Sequence, residues 1–377
     1  MRIGFDGKRA VQNFTGLGNY SRYVADILCH FYPENDYVLY APKKRENKRM
    51  NLLTGQYRQL TLAYPATSFW KKLSSLWRVW GITSQLEKEG IELFHGLSNE
   101  LPLNIHKSRI KSIVTIHDLI FLRYPQYYQS IDRKIYTYKF RKACENADKI
   151  IAISECTKRD IIRYFNIPDD KIEVVYQGCD VSFTHPVTEE KKEEVRKKYQ
   201  LPDHYILNVG SIEERKNILA AVQALPMLPQ HIHIVIVGRR TGYTEKVEQF
   251  IKDNGLGERV HIISNVPFND LPAFYQSAEI FVYPSRFEGF GIPIIEALYS
   301  GIPVVAATGS CLEEAGGPGS IYVNPDDITG LADAFKQIYS NSDKRKNMVE
   351  KGREFAKRFS EKQQSEEIIN IYKKLIR

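Results

Sequence analysis

The chain is poor in cysteine, and its five thiols (Cys29, Cys144, Cys156, Cys179, Cys311) are scattered over 377 residues. None forms a C-x-x-C pair or stands at metal-ligand spacing, which argues against a cysteine-held metal or a disulfide framework. Buried or free thiols in a reducing compartment are expected. Long apolar runs are also missing. No window approaches the ~18 uncharged apolar residues of a membrane span, and Met1-Arg2-Ile3-Gly4-Phe5-Asp6 reads as a strand, not a signal peptide. A cytoplasmic chain is the expectation. There is no D-x-D triplet, and Asp169-Asp170 and Asp326-Asp327 fall in turn-like stretches, so no carboxylate cluster of the kind that holds magnesium stands out. Internal repeats and low-complexity tracts are absent. Tryptophan is scarce, and all three copies lie within Phe69–Trp80.

The remaining composition is ordinary for a folded protein: 43% hydrophobic and 26% charged residues exclude a disordered chain. The length suits two domains, each able to bury its own core. Charge divides unevenly. Residues 1–185 hold 28 Lys and Arg against 19 Asp and Glu, a net +9, while the rest is near −1, within a total of +8. A basic first half attracts anionic partners: a membrane surface, an acidic substrate or a nucleic acid. The last is disfavoured, because no reading motif is recognisable and the aromatics do not interleave with the basic loops.

Short apolar runs at Ile3–Phe5, Tyr37–Tyr40, Leu93–His95, Ile113–Ile116, Ile150–Ile153 and Ile172–Val175 alternate with helical stretches such as Gly18–Phe31 and Arg133–Asn146. After a composition shift over Val181–Gln200, which includes the charged helix Glu189–Lys198, a second alternation begins. Its strands are expected at Tyr205–Val209, His233–Val237, Val260–Ile262, Ile280–Val282 and Pro303–Ala306. Alternating strands and helices imply parallel sheets covered on both faces, with ligands at the carboxyl ends of the strands. The pattern predicts an α/β chain of two doubly wound domains, residues 1–184 and 185–359, followed by an amphipathic helix over 360–377.

The most informative segment is Ser285–Leu298, in which Glu288 and Glu296 stand eight apart around Gly289-Phe290-Gly291-Ile292. A glycine-rich turn here feeds an apolar helix. The helix start offers free N–H groups and a positive dipole end for phosphate, and carboxylates accept hydrogen bonds from the vicinal hydroxyls of a sugar or ribose. By spacing alone the two read more readily as a loop acid and a solvated helix acid, because short motifs have many chance matches. Gly210–Asn217 follows the first strand of the second domain, where Arg215 and Lys216 suit a pyrophosphate or else form a solvated cluster with Glu213 and Glu214. Gly16 and Gly18 open a helix after the first strand. They are not a dinucleotide fingerprint, since the third glycine is replaced by Ser21. His117 and Asp118 end the strand Ile113–Ile116, and Ser154-Glu155 ends another. Val237-Gly238-Arg239 and Asn265-Val266-Pro267, with Leu271 beyond, lie at later strand ends. Residues 69, 70, 73, 76, 77 and 80 make an apolar helical stripe beside Lys71, Lys72 and Arg78, which fits either a core face or a membrane-surface helix.

Glu288–Glu296, with Gly210–Asn217 and Thr115–Leu119, resembles the E-x7-E signature and associated loops of the retaining family 4 glycosyltransferases (glycosyl transferases group 1). The resemblance implies the GT-B fold: two Rossmann-like domains facing a cleft, the first on the acceptor side and the second binding the donor, with the terminal helix packing back on the first. It implies transfer of a hexose, mannose among the options, from a nucleoside-diphosphate sugar to a glycan or lipid-linked hydroxyl in cell-envelope polysaccharide or glycolipid synthesis. Neither metal nor other cofactor is expected. Glu288 would meet the sugar and Glu296 the ribose. Lys216 and Arg215 would neutralise the diphosphate, with Gly16, Gly18, Gly289, Phe290, Gly291 and Ile292 around it and Val266 near the base. His117 would border the sugar, with Asp118 towards the acceptor. The family's usual arginine directly after the first glycine is replaced by Ser211. A sugar-nucleotide epimerase of the same fold is the alternative.

Overall fold

The computed structural model describes residues 1–376; Arg377, the last residue of the expected terminal helix, lies outside the described residues. The chain divides into two compact units, Met1–Gln177 together with the segment from Glu361, and Gly178–Ser360.

The first unit contains a seven-stranded sheet of β1 Arg2–Asp6, β2 Asp36–Tyr40, β3 Leu60–Ala63, β4 Leu93–Gly96, β5 Lys111–Ile116, β6 Lys149–Ala152 and β7 Ile172–Val174, in the order β3-β2-β1-β4-β5-β6-β7. Every neighbouring pair is parallel. Side chains alternate between two cores: along β2, Tyr37 and Leu39 enter one, Val38 and Tyr40 the other. Continuous apolar runs are what a sheet covered on both faces requires. Each large side chain so buried contributes about 1.5–3 kcal/mol. The helix Glu361–Ile376 places Ile368, Ile369, Ile371 and Tyr372 in the same core as Ile3 and Phe5. Tyr372 OH lies 2.6 Å from His95 Nδ1.

The second unit repeats the plan with β8 Tyr205–Val209, β9 His233–Val237, β10 Val260–Ile263, β11 Ile280–Tyr283, β12 Val304–Ala307 and β13 Ile321–Val323, in the order β10-β9-β8-β11-β12-β13 and all parallel. Strand order reverses between β1 and β4 and again between β8 and β11. Such switch points are where the loops beyond the strands part and leave room for a ligand.

Three expectations need correction. The strands β3 and β13 are absent from the sequence reading, and both are short edge strands in which Leu60 alone is buried. The units divide after Gln177, not at 184, because Phe183 is fully buried against Phe268 and Tyr275 of the second unit. The stripe Phe69–Trp80 is not one helix. It breaks at Leu73, resumes at Ser74, and widens into a π turn over Trp77–Gly81. There Arg78 turns inward to Asp6 and Glu100.

Candidate active site

The loops after β8 and β11 flank the switch point of the second unit and are held together by backbone. Arg286 N–H donates to Arg215 O at 2.9 Å. Asn217, left-handed at φ 55°, donates from Nδ2 to Pro284 O at 3.3 Å and Pro325 O at 2.8 Å. Gly238, which follows β9, packs so closely that a Cβ there would stand 1.8 Å from Gly210 O. The glycine is required by that approach.

This framework brings Arg215, Lys216 and Glu288 together. Glu288 Oε1 lies 3.0 Å from Lys216 Nζ, and Oε2 lies 2.8 Å from Arg215 Nη1. Oε1 also accepts from Tyr283 OH at 3.1 Å and Ser285 Oγ at 3.0 Å. Arg215 donates further to Phe287 O. Burial alone would raise the Glu288 carboxyl, but Lys216 and Arg215 outweigh it and bring it down to about 2. In the same way, burial would lower the Lys216 ammonium, and Glu288 holds it above its ordinary value. Arg215 Nη2 also lies 3.6 Å from Glu213 Oε2, so the two cations share one buried carboxylate and one more exposed one. Beside this cluster the helix Ile292–Ser300 begins after Gly291, at φ 144°, without a side-chain cap. Phe290 is buried against Phe359, anchoring the turn. Glu296 stands apart from this cluster. It accepts from Tyr275 OH at 2.6 Å, and burial raises its carboxyl to about 7, the Tyr275 bond opposing and Asp180 adding to the shift. The two glutamates therefore differ in protonation as well as position: one is fixed as an anion, the other titrates near neutrality.

Elsewhere the predicted residues are more self-contained. His117 is buried. Its Nε2 lies 2.9 Å from Leu97 O and its Nδ1 3.2 Å from Gln177 Nε2, so the ring is neutral with the proton on Nε2. Burial lowers it to about 4, although the Leu97 bond acts the other way. Asp118 accepts from Ile120 N at 3.1 Å and caps the turn that follows. Ser154 caps the helix Glu155–Phe165. Gly16 begins the helix Gly16–Phe31. Gly18 N donates to Asn13 Oδ1 at 3.3 Å, and a Cβ there would meet Asn13 O at 2.0 Å. Thus Gly18 answers to its own loop, whereas Gly16 has open space. Val266 is half-buried beyond β10, after Asn265 at φ 60°. Among the described residues no group of three or more His, Cys, Asp or Glu could hold a metal ion.

Sequence reasoning missed Tyr283, Tyr275, Asn217, Asn99 and Gln177. Tyr283 had a signal: it is the last residue of β11, the same strand-end position that singled out His117. Asn99, at φ 64°, accepts from His117 N at 2.7 Å, and Gln177 meets the His117 ring. Neither contact has a local pattern.

Residues 189–355 match the family described as glycosyl transferases group 1, and residues 21–183 match glycosyltransferase family 4. The chain is 31% identical over 289 residues to the O-antigen chain mannosyltransferase B of Escherichia coli, covering 75% of this chain and 74% of that one. The chain belongs to glycosyltransferase family 4. It is also 29% identical over 225 residues to the O-antigen chain mannosyltransferase RfbU of Salmonella typhimurium, 60% of each chain. Solved structures share its GT-B fold. Sucrose-phosphate synthase of Thermosynechococcus elongatus aligns with a TM-score of 0.78 at 20% identity, over 100% of this chain and 99% of that one. Anabaena HepE, in complex with UDP, aligns with a TM-score of 0.78 at 18% identity over 100% of each. This glycosyltransferase thus places the signature glutamates of its family in two electrostatically distinct settings.

Proposed function

We propose that this glycosyltransferase moves a hexosyl group, mannosyl foremost, from a nucleoside-diphosphate sugar to an acceptor hydroxyl, with retention and without a metal ion, in the assembly of a cell-envelope polysaccharide such as an O-antigen. The observation that carries the reading is the convergence of Arg215 and Lys216 on Glu288 beside the uncapped start of Ile292–Ser300. The names of the mannosyltransferase relatives support the sugar and the pathway. The UDP and UDP-glucose complexes of HepE support the class of donor.

In this reading the second unit binds the donor and the first the acceptor. The bond from the anomeric carbon to the diphosphate breaks, and its electron pair leaves on the phosphate oxygen. Lys216, Arg215 and the helix start stabilise that charge as it develops, without reorganising. The acceptor hydroxyl attacks from the same face and passes its proton to the departing phosphate. Glu288 holds the sugar through its hydroxyls and Glu296 the ribose, with Val266 near the base. Thermal unfolding of the full chain with GDP, UDP, ADP and their sugar conjugates, in EDTA, tests this. One nucleotide should raise the midpoint, by about 2.7 kcal/mol of stability at a hundredfold excess over Kd. No shift with any of them at millimolar concentration would refute the reading.

We propose further that the first unit rests on the cytoplasmic face of an anionic membrane. No helix among the described residues is long and apolar enough to cross one. Phe69, Leu76 and Trp80 are 61%, 51% and 50% exposed beside exposed Lys71 and Lys72, while Trp77 is core. The helix Ser130–Asn146 exposes Ile131, Ile135 and Tyr138 beside Lys134 and Arg141. Both segments share one core, through Trp77 and Phe140, and are joined by Arg78–Glu100–Lys139. Apolar side chains flanked by cations are what a negatively charged bilayer surface retains. Serine at Phe69, Leu76 and Trp80 together should abolish co-sedimentation with phosphatidylglycerol-rich vesicles and leave the unfolding midpoint unchanged. Unaltered co-sedimentation would refute the docking surface.

A further inference from the structure

We propose that Tyr283 is a positioning residue for the transfer reaction, its hydroxyl keeping the Lys216 ammonium and the Glu288 carboxylate in register as the diphosphate arrives and departs. This rests on the donor-site reading above. Three contacts close a triangle: Lys216 Nζ to Tyr283 OH at 2.8 Å, Tyr283 OH to Glu288 Oε1 at 3.1 Å, and Lys216 Nζ to Glu288 Oε1 at 3.0 Å. The phenol accepts from the ammonium and donates to the carboxylate, a double role that phenylalanine cannot fill.

Packing does not ask for the hydroxyl. The ring ends a fully buried strand and stacks on Phe281 at 5.9 Å, where a phenyl group would occupy the same space. Burying a hydroxyl is unfavourable unless it is paired, and here its partners Lys216 and Glu288 are both charged. Burial pushes the phenol up to about 12, with Glu288 adding and Lys216 opposing, so it stays protonated and able to donate. The ammonium has three N–H donors. Two are used by Tyr283 and Glu288, and the third has no partner among the described residues. An incoming diphosphate oxygen can take that third proton without breaking the triangle. As negative charge then builds on the leaving group, Lys216 is drawn away from Glu288. The Tyr283 hydroxyl still links the two, holding the carboxylate on the sugar while the ammonium follows the phosphate. A purely structural tyrosine would add stability and leave turnover per folded molecule unchanged.

The test is Tyr283→Phe in the full chain, assayed for donor turnover with the nucleotide sugar that gives the largest thermal shift, in wild-type and Lys216→Met backgrounds. The variant should lose about 10- to 100-fold in kcat, the scale of hydrogen bonds to charged groups. Its donor KM should stay within about threefold, because the interaction is strengthened only as charge develops. In the Lys216→Met background the same change should cost nothing more, since the hydroxyl acts through the ammonium. Retention of kcat within about twofold, a rise in KM alone, or the same factor lost in both backgrounds would overturn the role. A wild-type chain that turns over no nucleotide sugar would overturn the donor-site reading, and the role with it. An active wild type with an unaffected variant removes Tyr283 alone.

Discussion

Replacing Glu288 by glutamine should weaken the second unit and at the same time tighten its hold on diphosphate. The carboxyl titrates ordinarily at 4.5 and at about 2 in the fold, because Lys216 and Arg215 overcome the effect of burial. At about 1.4 kcal/mol per pH unit that difference corresponds to roughly 3 kcal/mol at neutral pH. The three side chains are only 13–16% exposed, so solvent screens little of it. Glutamine can still meet Tyr283 and Ser285, but it leaves buried Lys216 without its counter-charge and Arg215 with only the more exposed Glu213, at 3.6 Å. For a unit of this size about 2–4 °C accompany each kcal/mol, so the midpoint should fall by about 6–12 °C. A diphosphate supplies the missing negative charge, so GDP or UDP should raise the midpoint of the variant by more than it raises that of the wild type. The acid limb gives a second check. A carboxyl with a depressed folded value stabilises above its unfolded value and loses that contribution as pH falls from 4.5 towards 2. The gap between wild type and variant should therefore close in that window. Midpoints within about 2 °C at pH 7, or a smaller diphosphate shift in the variant, would refute the view of Glu288 as internal counter-ion.

Alanine at Lys216 should lower turnover by about two orders of magnitude or more, the usual scale for one preorganised electrostatic group, measured as single-turnover donor cleavage. Gly238→Ala would set a Cβ 1.8 Å from Gly210 O and displace the loop that carries Lys216; a midpoint loss of about 1–3 kcal/mol together with reduced turnover is expected. Donor KM should rise as pH falls through about 7, where Glu296 takes a proton, and Glu296→Gln should flatten that dependence. Acid should act with opposite sign on the two units. Glu296, raised in the fold, adds stability as pH drops from 7 to 4.5, whereas His117 and His95, lowered by burial to about 4 and about 3, lose it below 6.5. Tryptophan emission reports only the first unit, which holds all three tryptophans, and should show the loss.

The doubly wound plan was legible because β1, β2, β5, β8 and β9 are buried on both faces and so read as unbroken apolar runs. The edge strands β3 and β13 carry half-exposed residues, and a three- or four-residue segment with that pattern is indistinguishable from a loop. The Phe69–Trp80 stripe misled for a different reason. Its periodicity is helical, but Arg78 answers to Asp6, far off in sequence, and a π turn over Trp77–Gly81 is the conformation that accommodates it. Periodicity describes a helix that obeys its own neighbours. It is silent where a long-range ion pair sets the backbone.

The same distinction runs through the site. Glu288 was singled out by its spacing from Glu296 around a glycine turn, and Arg215 and Lys216 by their place beyond a strand; the loops beyond strands at a switch point converge whatever the rest of the chain does. What could not be read was how the charges would be apportioned. Glu288 might have faced solvent and Glu296 the cations; the fold instead gives both cations to Glu288 and leaves Glu296 with a single phenol, Tyr275. That allocation follows from three-dimensional register: Arg286 N on Arg215 O and Asn217 on Pro284 O fix the β8 loop against the β11 loop at the level of residue 288. Glu296 lies about one turn inside the helix Ile292–Ser300, where its hydrogen bond is to Tyr275. Glu288 thus shares one negative charge between Arg215 and Lys216, and a diphosphate that meets the remaining Lys216 donor competes with it for the same cations, a competition that Glu288→Gln removes.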